Sequence, residues 1–198
     1  PLQSLANWNY YSEFQPGHRY ALGVDVSEGV HRHNSTIVII DYDAKIKRNG
    51  IAVIKPKVIA VYASNDIPPD LLAYEIRNGG MRYGSCIAAV ERNNHGFTTL
   101  STLKGLYFNI YKTEDEKLGW HTNMASKPKM MHELRSAIHE ELIEIPDQSL
   151  KNEIISYPSE DLNNTKVDEE DETGGHYDRV IALAIVWQMR SLAMPTEI

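Results

Sequence analysis

The stretch IAAVERNNHG, residues 87–96, joins an apolar run to a cluster of charged and polar residues. The four apolar residues 87–90 are typical of a strand buried within a sheet. Glu91 follows at the tip of that strand, where partial burial makes a lone carboxylate unfavourable to ionise. The stretch therefore predicts a core strand that presents an acid at one edge of a sheet.

Upstream of this strand, the sequence predicts an antiparallel meander. The segments 19–29, 35–43 and 57–64 are rich in β-branched and aromatic residues and are separated by polar turns. The polar stretch AKIKRNG, residues 44–50, is assigned to one of these turns.

Helical periodicity surrounds the strand itself. Pro68-Pro69-Asp70 is expected to open a helix, and Gly79-Gly80 to close it before the strand begins, as a crossover connection requires. Further predicted elements are a helix at 97–106, a strand at 108–113, a helix capped by Ser126 and an apolar helix over 176–193.

These elements predict one α/β domain. We expect a mixed central sheet, with the three-strand antiparallel meander plus parallel strands, flanked by helices over residues 19–198. Residues 1–18 are expected to form an N-terminal arm or linker. The order of elements is also that of the ribonuclease H-like fold.

Composition bounds the class of protein. No apolar run approaches the roughly 20 residues of a membrane span, and the first residues do not resemble a secretory signal. The chain begins with proline, which is expected of a fragment or a processed start. Cys86 is the single cysteine, so an internal disulfide is excluded.

The formal charge of −7 argues against a broad nucleic-acid-binding surface, although acids that hold metal ions also count as negative here.

Three carboxylates occupy similar places along the chain. Asp25 lies near the end of the first meander strand, Glu91 ends the strand at 87–90, and Asp178 lies in the first turn of the last helix. If these elements meet, the acids would repel one another unless cations joined them, and hard oxygen ligands suit Mg²⁺ or Mn²⁺. Each acid alone is equally typical of a cap or a surface position, and Asp178 suits a helix N-terminus.

The motifs GVDVSEG (23–29), AAVERNNHG (88–96) and GGHYDRVIALAI (174–185) together resemble a known family. They are similar to the C-terminal nuclease domain of the large terminase subunit of tailed bacteriophages, over about Tyr20 to Trp187. The resemblance implies a ribonuclease H-like fold and two-metal endonucleolytic cleavage of double-stranded DNA during viral genome packaging.

The resemblance also implies roles for individual residues. Asp25 would be the central ligand of two Mg²⁺ or Mn²⁺ ions, Glu91 would hold one ion, and Asp178 would complete the cluster. Lys127 would approach the scissile phosphate. Asn34 stands where the family often has another acid, so its role as a ligand is open.

Partners follow from the same resemblance. A terminase ATPase domain, the small terminase subunit and the portal are expected, with the isolated domain monomeric and acting in the host cytoplasm. No phosphate-binding loop occurs, so no ATPase activity is expected. A Holliday-junction resolvase, a transposase-like nuclease or a non-catalytic docking module of the packaging motor are the alternatives.

Several polar residues have open roles. The acidic run 168–172 could gate the site or remain a solvated loop, and Arg92 could pair with a phosphate or steady Glu91. His132 begins a zinc-protease-like pattern that fails at Ser136. The loop residues His31, Arg32 and His33 could contact the DNA backbone or face solvent. His95 and His176 could tune the acidic cluster or act in proton transfer.

Overall fold

A six-stranded mixed sheet lies at the centre of the molecule. The computed structural model describes residues 1–28, 33–158 and 177–197. The sheet has the strand order β1-β2-β7-β4-β3-β8, and β5 and β6 form a separate hairpin. The strands are β1 (Gln3–Leu5), β2 (Trp8–Tyr10), β3 (Tyr20–Asp25), β4 (Ser35–Asp41), β5 (Lys45–Arg48), β6 (Ile51–Ile54), β7 (Lys57–Ser64) and β8 (Ile87–Val90).

Helices cover both faces of the sheet. They are α1 (Pro69–Arg82), α2 (Asn94–Leu103), α3 (Ser126–His139), α4 (Gln148–Ser156) and α5 (Asp178–Gln188). Buried residues of α1 and α2 pack on one face, and those of α3, α4 and α5 pack on the other. Across the described ranges, every helix falls short of the length and apolarity that a membrane span needs.

The predicted meander is confirmed. β3 pairs antiparallel with β4, and β4 pairs antiparallel with β7. β8 then pairs parallel with β3, after the crossover through α1. The mixed α/β, ribonuclease H-like sheet expected from the sequence is therefore the architecture observed.

The N-terminal segment differs from the predicted arm or linker. Within residues 1–18, β1 and β2 join the main sheet, with β2 antiparallel to β7. Trp8 and Tyr10 are buried, and the indole nitrogen of Trp8 donates a 2.7 Å hydrogen bond to Glu75. Strands of three residues are too short to show alternation, and the burial of β2 depends on distant parts of the chain, whereas β1 is exposed.

The predicted polar turn at 44–50 is wrong, because it contains a strand. β5 and β6 form a hairpin around Asn49 and Gly50, whose φ values are +50° and +80°. Two successive positive φ values are typical of the tight turn that matches the twist of a hairpin. The basic side chains of β5 concealed the strand pattern.

The glycine pair does not end α1. The helix continues to Arg82, and Gly79 and Gly80 are buried within it. A Cβ on Gly79 would lie 2.7 Å from the Trp8 ring, and one on Gly80 would overlap the hydroxyl of Tyr107. These glycines therefore permit close packing rather than terminate the helix.

Other boundaries also differ. The predicted strand at 108–113 is replaced by isolated bridges at Ile110 and Lys112. The start of α3 is capped by Asn123, whose side-chain oxygen accepts from the amides of Ala125 and Ser126 at 2.9 Å. The helix α4 was not predicted, α2 covers 94–103 rather than 97–106, and α5 covers 178–188 within the predicted 176–193.

Candidate functional site

Two of the three predicted acids project from adjacent strand ends on one face of the sheet. Ala21 of β3 and Ala89 of β8 both pack in the core beneath α5, and side chains in a strand alternate between faces. Asp25 and Glu91 therefore project toward the α5 side. The amide of Glu91 donates a 2.9 Å hydrogen bond to the carbonyl of Val24, which aligns the two strand ends.

The third acid arrives with α5. Asp178 is the first residue of this helix and is buried. Gly23, two residues before Asp25, lets the helix lie directly on β3: a Cβ there would lie 2.6 Å from the amide nitrogen of Val186 and would overlap the carbonyl of Ala182. Because Ala182 follows Asp178 by about one helical turn, this contact brings Asp178 to the same edge of the sheet.

The charges of the three acids are coupled. Burial raises the pKa of Asp25 well above its usual range, and the negative charges of Glu91 and Asp178 raise it further. Hydrogen bonding with the side chain of Glu91 also raises the pKa of Asp25. The structure therefore brings together the three acids that the sequence singled out.

Asn34 and His33 hold the side chain of Asp178. The backbone amide of Asn34 donates to Oδ2 of Asp178 at 2.7 Å, and its side-chain amide lies 3.5 Å from the same oxygen. Nδ1 of His33 lies 3.6 Å from Oδ1. Asn34 thus orients an acid of the site, and its role as a ligand stays open.

The polar residues after β8 hold Glu91 in place. The side-chain amide of Asn93 donates to the carbonyl of Val26 at 3.0 Å and to Oε2 of Glu91 at 3.3 Å. Its oxygen caps α2 by accepting from the amide of Gly96 at 2.7 Å. A Cβ on Gly96 would overlap the carbonyl of Glu91, so glycine permits this turn.

A fourth carboxylate, Glu153, lies beside the site and was not predicted. Its Oε2 accepts from the backbone amides of Arg179 at 2.9 Å and Val180 at 3.3 Å, and its Oε1 accepts from the Arg179 guanidinium at 2.5 Å. Burial raises the pKa of Glu153 although Arg179 lowers it, and its charge adds to the raised pKa of Asp25. Glu153 therefore anchors the end of α5 that carries Asp178.

Replacing Glu153 tests this anchor. Glu153→Gln keeps an acceptor for the α5 amides but leaves the largely buried Arg179 without its carboxylate partner. We therefore expect the free energy of unfolding to fall by roughly 1–3 kcal/mol. The matched control is Glu133→Gln, which breaks a more exposed pair with Arg190 and should change stability by less than about 1 kcal/mol. Chemical denaturation measures both, and equal losses would contradict the anchoring role.

The other predicted residues have contacts of their own or lie outside the described ranges. Lys127 lies in the first turn of α3, where its amide donates to the carbonyl of Asn123 at 2.9 Å, and its catalytic role stays a prediction. Nε2 of His95 lies 3.1 Å from the Glu28 carboxylate. His31, Arg32, His176 and the acidic run 168–172 lie outside the described residues.

The donor set fits a hard divalent cation. Among residues 1–28, 33–158 and 177–197, no three histidine, cysteine, aspartate or glutamate side chains are arranged around one point as a finished metal site. Asp178 and Glu91 instead accept hydrogen bonds from Asn34 and Asn93, and the pKa of Asp25 is raised. Thr36, directly opposite Asp25 in β4, is buried with no hydrogen-bond partner for its hydroxyl in the described structure. Clustered oxygen donors and an unpaired hydroxyl are features expected of a cation-binding site.

No protein-family model and no curated protein matches the sequence. Several solved structures match the fold. The large terminase nuclease of thermophilic phage G20c with bound magnesium is 14% identical, with 94% of this chain and 89% of that chain covered and a TM-score of 0.67. With bound cobalt, its TM-score is 0.68 at the same identity and coverage. The large terminase nuclease domain of Thermus phage P74-26 is 13% identical, with 92% and 85% covered and a TM-score of 0.62. The fold is thus that of large terminase nuclease domains, as the motifs implied.

Proposed function

We propose that this chain is a metal-dependent endonuclease that cleaves double-stranded DNA during viral genome packaging. The observation that carries the proposal is the meeting of Asp25, Glu91 and Asp178 at one edge of the sheet, with the pKa of Asp25 raised by the other two. The fold shared with large terminase nucleases supports it. The magnesium and cobalt bound by the G20c nuclease support a divalent ion as cofactor.

In this proposal, Asp25, Glu91 and Asp178 would hold two Mg²⁺ or Mn²⁺ ions, with Asp25 as the central ligand. When bound, the ions would supply activation of a water and stabilisation of the leaving oxygen in phosphodiester hydrolysis. Asn34 orients Asp178 and Asn93 steadies Glu91 through the hydrogen bonds described above. Lys127 stabilises the negative charge that develops on the scissile phosphate.

The packaging role sets the expected partners. They are a terminase ATPase domain, the small terminase subunit and the portal, and the site of action is the cytoplasm of the infected bacterium. The chain carries no phosphate-binding loop, so ATP hydrolysis is assigned to the partner domain.

Cleavage of a supercoiled plasmid tests the proposal. We expect nicked and linear products with millimolar Mn²⁺ or Mg²⁺ and no products with EDTA, because the carboxylates need a cation to act together. Little sequence preference is expected. A strong preference for four-way junctions over linear duplex would indicate a resolvase, and a folded chain that neither cleaves DNA nor binds metal would indicate a docking module.

A further inference from the structure

A groove of about 770 Å³ opens beside Glu91. It lies between the end of β8 with α2 on one side and residues 117–122 on the other. The backbone of Trp120 joins the two sides, because its amide donates to the carbonyl of Val90 at 2.7 Å and its carbonyl accepts from the amide of Arg92 at 2.7 Å. These hydrogen bonds hold the two sides of the groove together next to Glu91, one of the proposed metal ligands.

The lining of the groove is basic although the chain carries a net charge of −7. Arg92, Lys104, Lys117 and His121 line it, and Glu91 is the one acid among the lining residues. The side chains of Arg92 and Lys104 form no hydrogen bond or ion pair with any residue in the described part of the chain. Lys117 forms a 3.7 Å surface pair with Asp115. The side chains of Arg92 and Lys104 are therefore available to an anionic ligand.

An exposed aromatic ring also points to a ligand in the groove. Phe97, on the wall formed by α2, is 56% exposed. Positive side chains beside an exposed aromatic ring are typical of grooves that follow a nucleic-acid strand.

We propose that this groove binds the sugar–phosphate backbone of the DNA strand on the Glu91 side of the scissile phosphate. Arg92 and Lys104 contact successive phosphates, and the guanidinium of Arg92 is suited to bidentate phosphate contact. This inference rests on the proposed function, because the groove is assigned to DNA on the ground that it lies beside the acids proposed to cleave DNA.

The test is binding of a 20-base-pair duplex in EDTA, where cleavage does not interfere, at several salt concentrations. Lys104→Ala should weaken binding about three- to tenfold and reduce the slope of log K against log salt by about 0.9, as expected for one lost phosphate contact. Arg92→Ala should act similarly, and Lys104→Arg should restore binding. The matched control is Lys47→Ala in the exposed strand β5, which should leave affinity and slope unchanged.

The outcomes separate this inference from the nuclease assignment. Unchanged affinity and slope for both Lys104→Ala and Arg92→Ala would overturn the groove, whether or not the wild-type chain cleaves plasmid. An equal loss for Lys47→Ala would also overturn it, since binding would then follow overall charge. A wild-type chain that binds through Lys104 but never cleaves DNA with Mn²⁺ would support the groove and overturn the proposed nuclease function.

Discussion

Asp25→Asn is expected to lower the rate of Mn²⁺-dependent plasmid cleavage by at least about 1,000-fold, at the upper end of what one preorganised electrostatic contact contributes. Burial raises the pKa of Asp25, and the charges of both Glu91 and Asp178 raise it further, so Asp25 interacts with both acids. An amide in its place keeps the shape but removes the charge that Asp25 would supply to the proposed cations. The measurement is the initial rate of nicking at saturating Mn²⁺.

Asp41→Asn is the matched control. Asp41 is also a buried carboxylate at a strand end, and burial raises its pKa although His18 at 2.9 Å lowers it. It lies at the opposite end of the β3–β4 pair from Asp25, because its register partner is Tyr20. We expect this variant to cleave at close to the wild-type rate. If Asp25→Asn also cleaved at that rate, Asp25 would not be the central ligand.

The same Asp25→Asn substitution should stabilise the protein in EDTA at neutral pH. The pKa of Asp25 in the folded protein lies above its value of about 3.9 in the unfolded chain. Between these two values the folded state binds more protons, so wild-type stability falls as pH rises from about 4 through the folded pKa. Asp25→Asn removes this loss. Thermal unfolding from pH 4 to 8 measures it, and added Mn²⁺ should raise the melting temperature of the wild type alone.

The acids could be found from sequence because their signals are local. Glu91 directly follows a strand of four apolar residues, and Asp25 ends another strand. Each acid is therefore placed at a strand end by its own local sequence, independently of the rest of the chain. The meander and the crossover then make these strands neighbours. Asp178 required one more inference, that an apolar helix packs on the sheet, and the buried face of α5 confirms it.

The contacts of the supporting residues could not be found in this way. Glu153 lies in an unpredicted helix and contacts Arg179 across 26 residues, so locally it has the pattern of an ordinary surface acid. Asn34 contacts Asp178 across 144 residues. Contacts of this kind exist only after the layers have packed, and neither periodicity nor propensity contains them.

The secondary structure also divides into elements that local sequence predicts and elements that depend on tertiary contacts. Strands of six to eight residues, such as β3, β4 and β7, carry enough alternation and β-branching to be predicted. The three-residue strands β1 and β2 do not; β1 is exposed, and the burial of β2 depends on packing against α1 and β7. Gly79 and Gly80 were interpreted as a helix stop because the ring that packs against Gly79 is 71 positions earlier in the chain.

Gly23→Ala is expected to destabilise the protein by about 2–3 kcal/mol, within the range for overpacking a close contact. The new Cβ would lie 2.6 Å from the amide nitrogen and 2.8 Å from the Cβ of Val186, so α5 must move away from β3. Backbone is involved on both sides, and a rotamer change cannot relieve the contact. For a chain of this length the melting temperature should fall by about 5–10 °C.

The matched control for Gly23→Ala is Gly105→Ala, where the nearest atom to an added Cβ is the Thr102 carbonyl oxygen at 3.6 Å, an ordinary contact. We expect its melting temperature to match the wild type. A Gly23→Ala variant as stable as Gly105→Ala would mean that α5 does not lie on β3 as described. Because α5 carries Asp178, its displacement should also raise the Mn²⁺ concentration needed for half-maximal cleavage. We expect this rise in Gly23→Ala and not in Gly105→Ala, when both are assayed below their melting temperatures. A loss of stability without that rise would mean that the packing of α5 on β3 does not set the position of Asp178 in the site.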